Sequence, residues 1–300
     1  YVVIQVLINI VILNPFYEIT LATICINIIL AVSLNLVTGF TGQFSLGHAG
    51  FMSIGAYVGA IINMQMNSTA GFLTGIFAGA LAAAVVGILI GIPTLRLKGD
   101  YLAIATLGMA EIIRVVFLNL EITNGAAGLN GIPRFTNWTW LFLFTAAAVI
   151  LINNFLRSSQ GRACISIRED EIAAESMGIN TTKYKVMAFA VGAFFAGTAG
   201  ALYSSYFYFL KPGLFGFLKS IDILVIVVLG GMGSVTGSVI AAVLLAIITT
   251  FLQAFTEVRM ILYAALLVII MIFRPKGIMG TKEITDMFRF RIGKKEERLQ

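Results

Sequence analysis

Residues 138–157, "WTWLFLFTAAAVILINNFLR", run into residues 158–185, "SSQGRACISIREDEIAAESMGINTTKYK", and these into residues 186–207, "VMAFAVGAFFAGTAGALYSSYF". The outer runs hold 20 and 22 residues and one charge, Arg157, while the middle run packs eight charges into 28 residues. A helix rising 1.5 Å per residue needs about 20 apolar residues to cross the hydrocarbon of a bilayer. The three runs therefore read as a span, a polar connection and a second span.

Working outward, the pattern repeats. Hydrophobic residues make up 59% of the 300-residue chain and charged residues 11%, against about 25% charged in a soluble domain. A soluble core of this size could not bury so much apolar surface, so the surrounding medium must itself be apolar. Ten hydrophobic segments stand out, near 1–13, 20–38, 51–66, 70–92, 102–119, 138–157, 186–207, 221–231, 235–253 and 258–273. They are continuously apolar and lack the two-residue alternation of a barrel strand, so helix is the expected state. The fold expected is all-α, a polytopic membrane protein of about ten transmembrane helices. It forms one transmembrane domain over 1–273, with 158–185 as its charged loop and 274–300 as a basic tail. The first run, at 13 residues, is short for a span, which fits a truncated start, and it does not read as a cleavable signal.

Basic residues orient such a chain. With one crossing per segment, Arg96, Lys98, Arg157, Arg162, Arg168, Lys183, Lys185 and the eight basic residues of the tail share one side, 15 of the 20 in the chain. Arg134, Lys211, Lys219 and Arg259 take the other, and Arg114 lies within a span. The richer side is the cytoplasmic one by the positive-inside rule, which puts both termini in the cytoplasm. The net charge of +6 thus reports orientation and attraction to lipid headgroups and does not point to nucleic acid. Cys25 and Cys164 have neither the number nor the spacing of a disulfide framework or a metal site and read as free thiols.

Within the charged loop, "REDEIAAESMGIN" (168–180) has the marks of a short helix. Glu169, Asp170 and Glu171 crowd its first turn, where carboxylates favour the positive end of the dipole. Ala173 and Ala174 are strong helix formers, and Gly178 sits where a left-handed residue ends a helix. About 9 or 10 residues are expected, roughly 14 Å, with Ile172, Ala173, Met177 and then Ile179 as an apolar strip. So short a helix is marginal alone in water. Two readings stay open: a plain connecting helix at the membrane surface, or a docking helix whose strip enters a groove on a cytoplasmic partner.

"TGFTGQFSLGHAG" (38–50) carries Gly39, Gly42, Gly47 and Gly50 with Gln43, Ser45 and the one histidine, His48. Irregular backbone at membrane depth is tolerated only inside protein or beside a watery cavity. It reads either as an interrupted helix lining a solute pathway or as a tight turn between close-packed helices. "LGGMGSVTGSV" (229–239) has a similar character. His48 has no neighbouring ligand for a metal, and a hydrogen bond to backbone is the expectation. Glu111 and Arg114 fall three apart on one helix face within a span, expected as an ion pair near the outer end or a contact to solute. Asn35 and Asp222 read as interhelical hydrogen bonders or pathway groups. Gly55/Gly59, Gly71/Gly75/Gly79, Gly87/Gly91 and Gly233/Gly237 have the spacing that lets helices approach closely. The G-x-x-x-x-G-K-[ST] phosphate loop, G-x-S-x-G and H-E-x-x-H are all missing from the sequence.

The run "SIREDEIAAESMGINTTKYKVMAFAVGAFFAGTAGALY" resembles the LivM-type permeases of branched-chain amino acid ABC transporters. So do "LAVSLNLVTGFTGQFSLGHAGFMSIGAYVGA" and "VLGGMGSVTGSVIAAVLL", in the family's order and over nearly the whole chain. The resemblance implies an ABC importer permease working by alternating access in a bacterial or archaeal inner membrane. Residues 169–180 would be the coupling helix, with Arg168 and Glu169 at its entry, Asp170, Ile172, Ala173, Ala174, Glu175 and Met177 along it, and Gly178, Ile179 and Asn180 at its exit. It also implies two ATP-binding subunits carrying the ATP and Mg, a homologous second permease and an external substrate-binding protein, with no cofactor on this chain. The cargo implied is leucine, isoleucine, valine and related amino acids. The same architecture carrying urea or another polar solute, and an ATPase-independent secondary transporter or channel, remain alternatives.

Overall fold

The structure, a computed structural model, describes residues 15–252, 268, 272 and 277–280. The expected first segment and nearly all of the last segment and tail lie outside the described residues. In chain order the helices are α1 (Pro15–Asn35), α2 (His48–Met66), α3 (Thr69–Thr94), α4 (Asp100–Asn119), α5 (Trp138–Arg157), α6 (Ser159–Glu169), α7 (Glu171–Ser176), α8 (Thr181–Phe207), α9 (Phe217–Gly230) and α10 (Val235–Leu252). A π-helical turn, Leu36–Phe40, extends α1. The only strands among the described residues, β1 (Leu129–Asn130) and β2 (Phe209–Leu210), pair antiparallel for two residues each.

Several helix starts are written in the sequence. Ser68 Oγ accepts from the Gly71 amide at 3.0 Å, Ser158 Oγ from the Gly161 amide at 3.2 Å and Asn180 Oδ1 from the Lys183 amide at 3.0 Å. Each satisfies one of the N–H groups that a helix N-terminus leaves without a partner.

The centre of the bundle is α2, α3 and α8, packed almost backbone to backbone. Gly55 and Gly59 of α2 face Gly79 and Gly75 of α3, so that a Cβ on Gly79 would stand 2.7 Å from Gly55 O. On the other side of α2, Gly55 meets the backbone of Gly197, and a Cβ on Gly59 would stand 2.8 Å from the Ala201 Cβ. In lipid there is no hydrophobic gain from bringing helices together, so close van der Waals packing between small residues carries the association. This is the role the glycine spacing predicted.

Six described helical stretches are long and apolar enough to cross a membrane: Phe16–Phe40, Thr69–Thr94, Asp100–Asn119, Trp138–Arg157, Thr181–Phe207 and Pro212–Gly230. Val235–Phe251 is apolar but shorter. The described helices thus supply fewer spans than the ten expected. Helix α2 is not among them; it carries His48, Ser53, Asn63 and Gln65, and most of its length is buried in protein, where polar side chains find partners.

The glycine contacts also fix depth. Ala110 of α4 lies against Gly50 of α2, and α2 in turn pairs with α3 through Gly55–Gly79. Glu111 and Arg114 therefore stand level with the middle of the 26-residue α3, and not near an outer end as expected from the sequence. The start of α9 lies at a similar depth, because the Ala49 amide donates to Ser220 Oγ at 3.4 Å. Lys219, counted above as a loop residue, is on the first turn of α9. The chain between β2 and α9 enters the bundle, with Phe215 against Tyr57 and Tyr203.

Gly55→Ala forces a methyl group into the Gly197 backbone, which cannot rotate away. Overpacking of this kind costs about 1–3 kcal/mol, and more where the neighbour is rigid. Gly108→Ala meets nothing within 4 Å and gains helix propensity of up to about 1 kcal/mol. Thermal challenge of detergent-purified protein, read by size exclusion, should show Gly55→Ala aggregating at a lower temperature than the parent and Gly108→Ala at the same temperature or higher.

Candidate functional site

At one end of the bundle the chain from 158 to 180 forms two helices where one was expected. Helix α6 covers 11 residues and ends at Glu169; α7 covers only six, Glu171–Ser176. The break is Asp170, whose extended backbone (φ −156°, ψ 110°) lets Oδ1 accept from the Ile172 and Ala173 amides at 2.9 and 3.0 Å. An aspartate that captures two backbone amides starts a helix and does not continue one. Glu169, expected in the first turn, is therefore the last residue of α6, where it pairs with Arg168. The end of the short helix is as expected: Gly178 is left-handed at φ +85° and Ile179 N donates to Ala174 O.

Helix α7 is held by one side chain. Glu171 accepts from Lys185 Nζ of α8 at 2.6 Å and pairs with Lys98 Nζ of the α3–α4 connection at 3.2 Å. Burial pushes the Glu171 carboxyl up, but hydrogen bonds from Lys185 and Lys98, reinforced by their charges, outweigh it and hold the group below its ordinary 4.5. Ala174 faces inward, while Ile172 and Met177 are 75% and 83% exposed. Neither lysine was singled out from the sequence. The basic-side count had placed both on the same face as Glu171, which was the signal available.

Arg168 turns away from α7 and into the bundle. Its Nη1 donates to Gly39 O at 2.9 Å, and its side chain packs over Gly42, which is left-handed at φ +73°. The break between α1 and α2 is thus joined to the charged loop. Asn35, fully buried, joins it to the second glycine-rich turn: Oδ1 accepts from the Gly233 amide at 2.9 Å, and Nδ2 donates to Ser234 O and Ser238 Oγ, both at 2.8 Å. Gly39 must lack a side chain because Asn35 Oδ1 and the Gly233 amide fill that space. Residues 277–280 close over this turn through Ile278 N to Leu229 O and Met279 N to Gly230 O.

The rest of the break is enclosed. The Leu46 amide donates to Thr106 Oγ1 at 3.1 Å, and Ser45 Oγ accepts from the Gly47 amide at 3.3 Å. His48 shares a 2.8 Å hydrogen bond with Ser33 Oγ, a side chain and not the backbone partner expected. Both amide atoms of Gln43 are buried without a hydrogen-bond partner among the described residues. The remaining sequence candidates, Glu111 and Arg114, pair at 2.6 Å and keep 36% and 30% of their side-chain surface exposed on α4.

A family model described as the branched-chain amino acid transport system permease component matches residues 16–271. The chain belongs to that permease family. Apart from Pro15, helices α1 to α10 fall within the matched segment, so the family's permease component is the bundle itself and this chain is a transport permease embedded in a membrane. Among its relatives, the high-affinity branched-chain amino acid transport system permease protein LivM of Escherichia coli is 39% identical, covering 85% of this chain and 68% of its own length. LivM of Salmonella typhimurium is 38% identical over the same shares. The permease protein LivH of Escherichia coli is 27% identical and is covered over 92% of its length. No solved structure matches.

Glu171→Gln weakens two charged hydrogen bonds and leaves the nearly buried Lys185 short of a counter-charge. Hydrogen-exchange protection of amides 172–178 should fall roughly tenfold at pH 7. Because the folded pKa lies below 4.5, this stabilisation is complete above 4.5 and is lost as pH falls through the depressed value. The parent's protection factors should fall in that acidic window, and those of the variant should not.

Proposed function

We propose that this chain is one of two homologous permease subunits of an ATP-driven importer of branched-chain amino acids, with α7 and its flanks, residues 168–180, as the lever that a separate ATP-binding subunit grips. The end carrying α7 is the cytoplasmic face, both chain termini lie on that face, and about ten helices cross the inner membrane. ATP and Mg reside on two partner ATPase subunits, and a binding protein delivers solute at the opposite face. Cargo of this class is what the names of LivM and LivH state for those proteins.

One observation carries the reading. A six-residue helix is far too short to persist alone, yet α7 is capped, anchored by Glu171 and presents Ile172 and Met177 away from the bundle. An apolar strip displayed on a rigid polar loop fits a groove on a soluble partner. Glu169 and Glu175 flank the strip with carboxylates suited to a basic rim. Of the residues considered for the pathway, Asn35, Gly39, Gly42, Ser45 and His48 make the joint that passes motion inward, with Gln43 beside them. Solute moves along the face that carries Glu111 and Arg114. ATP would drive the cycle by binding one arrangement of the subunits more tightly than the other.

Ile172→Asp/Met177→Asp alters only exposed side chains and should leave the bundle folded. Co-purification with its ATP-binding subunits should drop at least tenfold, and Glu169→Lys/Glu175→Lys should weaken it and reduce uptake per ATP hydrolysed. Parent-level recovery of the ATPase with Ile172→Asp/Met177→Asp contradicts the docking role.

A further inference from the structure

A charged pair in the middle of a membrane bundle has three settings open to it: inside protein, against lipid, or against water. Within this chain Glu111 and Arg114 are not fully covered, since about a third of each side chain is exposed. On the exposed side of α4, Ile104, Gly108 and Val115 flank Glu111. Lipid is the costly setting, because ionised groups at the bilayer centre cost several kcal/mol and pair with one another or face a cavity. The start of α9 adds to the cluster. A Cβ on Gly216 would stand 3.8 Å from Arg114 Cδ and 3.9 Å from Glu111 Oε1, so the pair looks onto that turn. One turn further on are Lys219 and an exposed Asp222, with the Asp222 charge acting on Lys219. The Glu111–Arg114 pair thus stands at mid-depth against the Gly216 turn, with Lys219 and Asp222 on the following turn of α9 and apolar Val115 beside it on α4.

Resting on the permease reading above, we propose that this pair is a solute-contact site: Glu111 takes the ammonium and Arg114 the carboxylate of a zwitterionic α-amino acid, Lys219 and Asp222 extend the polar wall, and Val115 faces the apolar side chain. Opposite charges side by side suit a zwitterion, whose two charged groups are separated by one carbon. An ion pair kept only for packing has no need to stand on the exposed face.

The test uses the complete importer in lipid nanodiscs and a water-soluble, charged thiol reagent. Cys25 and Cys164 are buried, which keeps the background low. Gly108→Cys puts a thiol one turn before Glu111 in open space; Leu81→Cys puts one on the exposed, charge-free side of α3. Gly108→Cys should react at least tenfold faster than Leu81→Cys, and leucine should slow it, with isocaproate and isoamylamine, each leucine without one charged group, slowing it less. In the Glu111→Gln/Arg114→Gln background, in which no stranded charge remains, the leucine concentration for half-protection should rise at least tenfold. Labelling no faster than at Leu81→Cys, or half-protection unchanged by the double neutralisation, overturns the site. ATP-driven leucine uptake by the parent complex in proteoliposomes, measured in parallel, separates the two ideas: its absence removes the proposed leucine-importer reading, and its presence with unchanged protection removes only this site.

Discussion

A backbone that leaves the helical path at membrane depth has no water to turn to, so its polar groups must find partners within the protein. Here that demand falls largely on Asn35. Its one amide accepts from Gly233 and donates to Ser234 and Ser238, serving a turn nearly two hundred residues away. The π-helical end of α1, the loop to α2 and the α9–α10 turn meet around it. Glycine makes the meeting geometrically feasible, because any side chain at Gly39 would take the space the amide occupies. Replacing Asn35 by an apolar residue would leave buried donors and acceptors unpaired, each costing about 1–3 kcal/mol.

The same polar groups form an unbroken line of contact. Helix α7 is fixed by Glu171 to α8 and to the α3–α4 connection; Arg168, three residues before its start, is bonded to Gly39 O; and Asn35 passes from that turn to Gly233. A displacement of α7 that pulls on Arg168 withdraws a hydrogen bond from the place where α1 stops being helical. The core of α2, α3 and α8 has no such play, since its glycines bring backbones into contact. Rigid centre and hydrogen-bonded joint are the two parts that a domain-scale rearrangement requires.

Much of this was legible in the residues. Continuous apolar runs located each described membrane helix, because apolar composition and length are local properties. The small-residue spacing foretold close packing, although not that α2 would be sandwiched between α3 and α8. Gly178 marked the end of α7. Its start was misjudged, because Glu169, Asp170 and Glu171 are equivalent by charge, and only the geometry shows that Asp170 captures the amides. Depth was only partly legible. Glu111 lies at the middle of the run 102–119, so counting placed it at mid-span although its ion pair was expected near the outer end, whereas Lys219 precedes the run 221–231 and was placed outside it. The α2 and α9 helices begin inside the bundle, and long-range contacts such as Ala49 to Ser220 carry that information. Asn35 was noticed as polar, but its partners lie too far along the chain for any local pattern to reveal.

The proposed import cycle needs a source of work, which the proposal assigns to separate ATP-binding subunits. The most direct measurement is leucine accumulation in proteoliposomes holding the permease pair and supplied with the substrate-binding protein, with and without the ATP-binding subunits. Uphill accumulation should require both those subunits and hydrolysable ATP, and should vanish when either is withheld. Accumulation against a gradient by the permease chains alone would contradict it.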